Sequence, residues 1–292
     1  MSFAGTYTAL VTPFRNGNLD REAFRTLIED QISGGVDGIV PAGTTGESPT
    51  LTHEEHLKVI QTAIEVSAGR CKVIAGTGSN STKEAVSLSQ QAENLGADGA
   101  LVVAPYYNKP SQEGLYRHYR AIAEAVKIPI VLYSIPGRCG IEIGVETVAR
   151  LARDSPTVVC IKEAGGSVER VSQLKQAVPE TFEILSGDDS LTLPFLSTGA
   201  VGVISVASNL LPTEVGQLVH AWRDGRPHEA IQRHARLYGL FKDLFIEPNP
   251  VPIKYALSLQ GKMSPEVRLP LCEMSNSNKE KLSSTLSDLG LL

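Results

Sequence analysis

The run Val158–Gly166, VVCIKEAGG, leads four apolar residues straight into Lys162 and then into a glycine turn. A continuously apolar strand is buried on both faces, and lysine is rarely buried without a task. Two readings of Lys162 follow. In one, its flexible stem carries the ammonium past the strand end into water. In the other, burial lowers the amine's pKa until a neutral fraction exists near pH 7, and that amine attacks a carbonyl to form an imine. Imine formation needs a group that moves protons. Tyr133, at the end of the preceding apolar run PIVLYSIP, has the chemistry for it, although an ordinary strand aromatic reads the same way. Arg138, in the Pro-Gly turn of YSIPGRCG, can clamp a substrate carboxylate or simply reach solvent. In AGTTGES (42–48), glycines flank Thr44 and Thr45, so hydroxyls and backbone N–H groups can converge on a small anion, a carboxylate as readily as a phosphate.

Other patterns carry less. AGTTGES lacks the Walker spacing, and GTGSNS (76–81) is no dinucleotide fingerprint. In HEEH, His53 and His56 stand i,i+3 rather than at the i,i+4 zincin spacing, with no evident third ligand, so no metal site is expected. Asp188 and Asp189 of GDDS suit a helix N-terminus better than a magnesium ion, and Cys160 reads as a small buried hydrophobe.

These residues need elements to hold them. Eight short Val/Ile-rich runs begin at residues 6, 38, 72, 99, 129, 158, 182 and 202, each ending in turn-forming residues and separated by 20 to 34 residues, the length of one βα unit. Between them lie amphipathic patterns. Residues 20–33 place Phe24, Leu27, Ile28 and Ile32 on one face; Thr52 with Glu55, and Ser81 with Glu84, have capping-box spacing; Gly96 ends the latter pattern. Eight such units predict a (β/α)8 TIM barrel, an α/β fold, over residues 1–225, with additional C-terminal helices over 226–292 packed on it. In that fold chemistry sits at the C-terminal ends of the strands, where Thr44, Thr45, Tyr107, Tyr133, Arg138, Lys162, Gly187 and Ser205 fall. This placement favours the reactive reading of Lys162.

Composition narrows the function. The 292 residues are 42% hydrophobic, with a net charge of −5 and no basic block, which argues against nucleic-acid binding. No apolar run approaches membrane-spanning length, no signal peptide is evident, and four cysteines (71, 139, 160 and 272) lack paired spacing. The expectation is a cytoplasmic protein with free thiols and no membrane partner.

Taken together, TALVTPF, AGTTGESPTL, VIAGTGSNST, PYYNKPSQEGLYRHY, YSIPGR, IKEAGG, LSGDD and GVISVASN, in this order, closely resemble the pyruvate-dependent class I aldolase (N-acetylneuraminate lyase-like) family over nearly the whole chain. The resemblance implies that Lys162 forms a Schiff base with pyruvate and that no separate cofactor is used. Tyr133, hydrogen-bonded to Thr44, would relay protons, and Tyr107 would complete the relay from a neighbouring subunit. Thr45 would hold the pyruvate carboxylate. Arg138 would bind the carboxylate of L-aspartate 4-semialdehyde, and backbone groups near Gly187 and Ile204 would line the pocket. Enamine attack on the aldehyde followed by cyclisation would give a heterocyclic precursor of diaminopimelate and lysine.

Thr44-Thr45, Tyr107 and Arg138 favour this branch over another pyruvate-dependent aldolase acting on a sugar acid or related keto acid. A regulatory barrel without turnover is disfavoured because every catalytic position is filled. Bacterial members are mostly tetramers, built as dimers of dimers, and many are inhibited by L-lysine at a dimer interface. The matching effector positions are Ser48, His53, His56, Asn80, Glu84 and Tyr106, which offers HEEH a role without metal. Pro49, Gly137 and Cys139 depart from the family's commonest forms.

Overall fold

The computed structural model describes residues 2–292. Eight parallel strands close on themselves: β1 (Gly5–Ala9), β2 (Gly38–Val40), β3 (Lys72–Gly76), β4 (Gly99–Val103), β5 (Ile130–Ser134), β6 (Val158–Glu163), β7 (Glu183–Ser186) and β8 (Gly202–Ser205), with β1 pairing both β2 and β8. Each is shorter than its apolar run. The residues after Ala9, Val40 and Ser205 keep their apolar or hydroxyl character but leave the ladder to form the rim. One short element was not anticipated, a hairpin of Phe14–Arg15 with Asn18–Leu19.

Side chains alternate along each strand, so residues two apart share a face. One set fills the barrel interior, including Tyr7, Val40, Ile74, Leu101, Val131, Tyr133, Cys160, Leu185 and Ile204. The other set, with Ile130, Leu132, Ile161 and Ile184, packs outward on helices such as α4 (Gln112–Ala125) and α6 (Val145–Asp154). Cys160 therefore lies one layer below Lys162 on the inner face.

Local signals set the helix starts. Asp20 caps α1 (Arg21–Ser33), and Thr52 and Glu55 form a complete capping box on α2 (His53–Ser67). In α3 (Thr82–Leu95) the Ser81 hydroxyl accepts from Glu84 N–H, but the reciprocal half is missing because the Glu84 carboxylate turns to Ser79 and His53. Gly96 ends that helix at φ 95°, a conformation glycine adopts freely. α5 (Pro136–Cys139) is a single turn, and α7 (Val168–Ala177) and α8 (Thr192–Ser197) follow β6 and β7.

After α9 (Pro212–Arg223) come α10 (Pro227–Asp243), α11 (Val251–Leu259) and α12 (Asn276–Asp288). Leu240, Leu257 and Leu286 from these helices share one core with Val203 and Leu218 of the barrel. The chain around and after α11 also reaches the loop after β2 and the start of α2, where Asn249, Lys254 and Arg268 meet Thr45, Glu47 and Glu55. No helix among the described residues is long and apolar enough to cross a membrane. All four cysteines are free.

Candidate active site

Tyr133 and Lys162 are register partners on adjacent strands β5 and β6. Both point into the barrel and both are 5% exposed, with the Lys162 amine 4.3 Å from the centre of the Tyr133 ring. Burial lowers the Lys162 pKa from 10.5 to about 7. The Asp189 carboxylate opposes this by favouring the ammonium, and the Arg138 charge adds to it. A neutral fraction of the amine is then present near pH 7. The same burial pushes the Tyr133 phenol up to about 12, while Arg138 and the Thr44 hydroxyl beside it favour the phenolate. The arrangement pairs a neutral amine nucleophile with a phenol that stays protonated until a nearby base or developing charge draws on it.

Room for that amine depends on Gly187. A Cβ at this position would lie 2.9 Å from Lys162 Cε and 2.7 Å from Ala164 Cβ, inside van der Waals contact. Ile204 on β8 belongs to the same interior cluster as Tyr133 and is fully buried. Asp189 holds the far wall, its carboxylate accepting from Ser205 Oγ at 2.5 Å, Val206 N at 2.9 Å and Ala207 N at 3.0 Å. Asp188, as expected, caps the short helical turn after β7.

The loop after β2 brings Thr44 beside Tyr133 and buries Thr45. Thr45 Oγ1 accepts from Asn249 Nδ2 at 3.0 Å, and the backbone carbonyl of Asn249 accepts from Arg138 at 3.4 Å. Asn249 and Lys254 were not singled out from sequence, and Asp189 was read there only as suiting a helix N-terminus. The loop IEPNPVP (246–252) carries no chemical motif, and only the return of the chain over the rim places Asn249 between two candidate substrate-binding residues. Tyr107 does not join this group. It is 89% exposed and sits at φ 72°, a left-handed conformation rare for an aromatic residue.

A cavity of about 460 Å³ opens next to the site. Thr44 and Arg138 line it together with Ser48, His53, His56, Glu84 and Tyr106; Lys162 and Tyr133 lie outside its lining. Asn80 is adjacent, its side chain donating to the Tyr106 carbonyl at 3.2 Å. The two histidines do not converge. His56 is buried with Nε2 on the Gly76 carbonyl at 2.7 Å, and burial depresses its pKa, whereas His53 faces Glu84 at 3.1 Å. Among the described residues, no group of three or more His, Cys, Asp or Glu side chains gathers as a metal ion requires.

The model of the Dihydrodipicolinate synthetase family matches residues 2–289. The chain is 51% identical over 290 residues to the 4-hydroxy-tetrahydrodipicolinate synthase of Endomicrobium trichonymphae, covering 99% of each. The solved 4-hydroxy-tetrahydrodipicolinate synthase of Methylacidiphilum fumariolicum SolV superposes with a TM-score of 0.97 at 57% identity, over 98% of this chain and 95% of that one. A structure from Cyanidioschyzon merolae, of a dihydrodipicolinate synthase with lysine bound, gives a TM-score of 0.97 at 43% identity, over 99% of both chains.

Proposed function

The chain belongs to the dihydrodipicolinate synthetase family, and from that premise we propose how its residues condense pyruvate with L-aspartate 4-semialdehyde. The neutral Lys162 amine adds to the pyruvate ketone, and water leaves to give the imine. Loss of a methyl proton converts the imine to an enamine, whose carbon attacks the aldehyde. The amino group of the second substrate then displaces the lysine as the ring closes, giving 4-hydroxy-tetrahydrodipicolinate and free enzyme. No metal or separate cofactor enters this scheme.

Tyr133 serves the proton transfers. Its raised pKa keeps it a donor at neutral pH, and Thr44 and Arg138 stabilise the phenolate each time it gives the proton up. Thr45 binds the pyruvate carboxylate and Arg138 that of the second substrate, while Gly187 and Ile204 shape the wall. Tyr107 acts in a neighbouring copy of the chain, within a tetramer built as a dimer of dimers. Its exposure and disfavoured backbone support an interface role. Residues 1–225 supply this chemistry and residues 226–292 pack on them as an extension.

L-Lysine is the effector, taken by Ser48, His53, His56, Asn80, Glu84 and Tyr106. The Glu84 carboxylate suits its ammonium, and a relative from Cyanidioschyzon merolae with lysine bound supports lysine as a ligand. Continuity of the cavity with Thr44 and Arg138 gives bound lysine a short path to the reacting groups.

The observation that supports the reading most is the buried, partly neutral Lys162 amine against the Tyr133 ring. Borohydride reduction in the presence of pyruvate, read by peptide mass spectrometry, tests it. A pyruvate-derived adduct is expected on Lys162, and none in Lys162→Ala; an adduct on a different lysine, or none at all, refutes the scheme.

A further inference from the structure

Glu47 stands two residues beyond Thr45 in a left-handed backbone conformation at φ 54°, and its side chain is fully buried. Such a conformation is disfavoured for a residue with a side chain and persists only where its surroundings hold it. One carboxylate oxygen accepts from Lys254 Nζ at 2.5 Å, and the other accepts from the Arg268 backbone N–H at 3.0 Å. Lys254 is itself fully buried and lies 4.3 Å from the centre of the Phe14 ring, with the Arg268 guanidinium at 4.2 Å from the same ring. Arg268 ties the end of the loop to the first turn of α2, donating to the Thr50 carbonyl at 2.9 Å and to both oxygens of Glu55 at 2.6 and 2.7 Å.

Lys254 and Asn249 come from one short piece of chain, since Lys254 N–H donates to the Pro250 carbonyl in the first turn of α11. That piece grips the loop after β2 at two points, Asn249 on Thr45 Oγ1 and Lys254 on Glu47. With Asn249 occupying a lone pair of the Thr45 hydroxyl, the hydroxyl proton is left to point elsewhere, as a donor to an anion requires. A buried ion pair is weak evidence for stability, so its retention beneath a catalytic loop asks for another explanation.

We infer that Asn249 and Lys254, both in the C-terminal extension, are positioning residues for pyruvate: through Thr45 and Glu47 they hold the loop after β2 so that the Thr45 hydroxyl meets the substrate carboxylate. The inference rests on the proposed role of Thr45 as the pyruvate-carboxylate donor. It makes the extension part of the substrate site rather than a cover for the barrel.

The test titrates pyruvate into full-length enzyme under borohydride trapping, quantifies the Lys162 adduct, and records the melting temperature of each variant. Asn249→Ala and Lys254→Met should each raise the pyruvate concentration for half-maximal trapping by about tenfold, the effect of one lost hydrogen bond to an anion-binding group. The pair Glu47→Gln with Lys254→Met separates positioning from stability. Neutralising both partners restores the melting temperature lost in Lys254→Met alone, because no unpaired charge stays buried. The half-saturation concentration should nevertheless remain raised. An unchanged value in Asn249→Ala, or a parental value in the double variant, overturns the inference while leaving the Schiff-base scheme standing. Absence of an adduct in the parent enzyme overturns the scheme, and the inference with it.

Discussion

Tyr133 and Lys162 face each other across one rung of a parallel ladder, with the amine 4.3 Å from the ring centre. Two adjacent parallel strands at the same register place both side chains in the same layer of the barrel interior. The ring covers the amine, and the hydroxyl of the same residue lies beside Thr44 and within reach of the Arg138 charge. Burial around the amine lowers its pKa, and the same rung brings to it the phenol proposed as the proton carrier.

The rate of pyruvate adduct formation should follow the neutral fraction of Lys162, rising with pH to a plateau with a midpoint of about 7. Arg138 depresses that pKa through its charge, so Arg138→Gln should move the midpoint upward. Single-turnover trapping across pH 5.5 to about 9 reads both; a midpoint near the ordinary lysine value of about 10 contradicts the burial argument.

Removing the phenol should slow chemistry without releasing the lysine. Tyr133→Phe is expected to lower the rate of adduct formation by about 10²- to 10⁴-fold, the usual contribution of a positioned acid–base group. Thr44→Val should cost less, because it only weakens stabilisation of the phenolate. Equal rates for Tyr133→Phe and parent would place the proton relay elsewhere.

Lys162 should also cost the fold stability, with a defined pH dependence. Its pKa is about 7 in the folded chain against 10.5 when unfolded. Below pH 7 both states hold the proton and the full penalty of burying the charge is present. Between the two values the unfolded chain binds more protons, so folded stability rises with pH. Lys162→Met removes the penalty, on the order of a few kcal/mol. Its melting temperature should exceed the parent's most at pH 7 and below, with the gain fading as pH approaches 10. A gain independent of pH would assign it to packing alone.

Gly187→Ala should act on the amine through space. The added methyl meets Lys162 Cε at 2.9 Å and Ala164 Cβ at 2.7 Å, so the lysine stem must shift. Overpacking of this kind costs about 1–3 kcal/mol in stability, and adduct formation should fall by about tenfold or more. Parental trapping rates in this variant would show that the stem has freedom the packing denies.

At the proposed effector cavity, Glu84 is held by Ser79 and by His53 at 3.1 Å. Glu84→Thr removes the carboxylate that suits an ammonium, and inhibition by L-lysine should weaken by at least about tenfold, the loss of a charge-assisted contact. Steady-state inhibition curves decide it. A parent enzyme indifferent to lysine removes the effector assignment altogether.

Much of this protein was legible in its residue order. Periodic Val/Ile runs separated by helix-length amphipathic stretches specify eight βα units, because period and spacing are local properties of the chain. The rim position of Lys162 follows from the fold, and the motif set carries the family. Cap residues told the helix starts, yet Glu84 shows the limit of that reading: its spacing from Ser81 is right for a capping box, but His53 and Ser79, brought close by folding, compete for the carboxylate.

What only the tertiary structure decided are the contacts made at long range along the chain. The inward direction of Cys160 and Lys162 depends on strand register, which the short runs leave open by one residue. The roles of Asn249, Lys254 and Arg268 are invisible in sequence because they lie some 200 residues from Thr45, Glu47 and Glu55 and belong to no motif. The sequence alone establishes a barrel with an amine at its mouth; the folded chain decides how little water reaches that amine, since desolvation is the sum of everything packed around it.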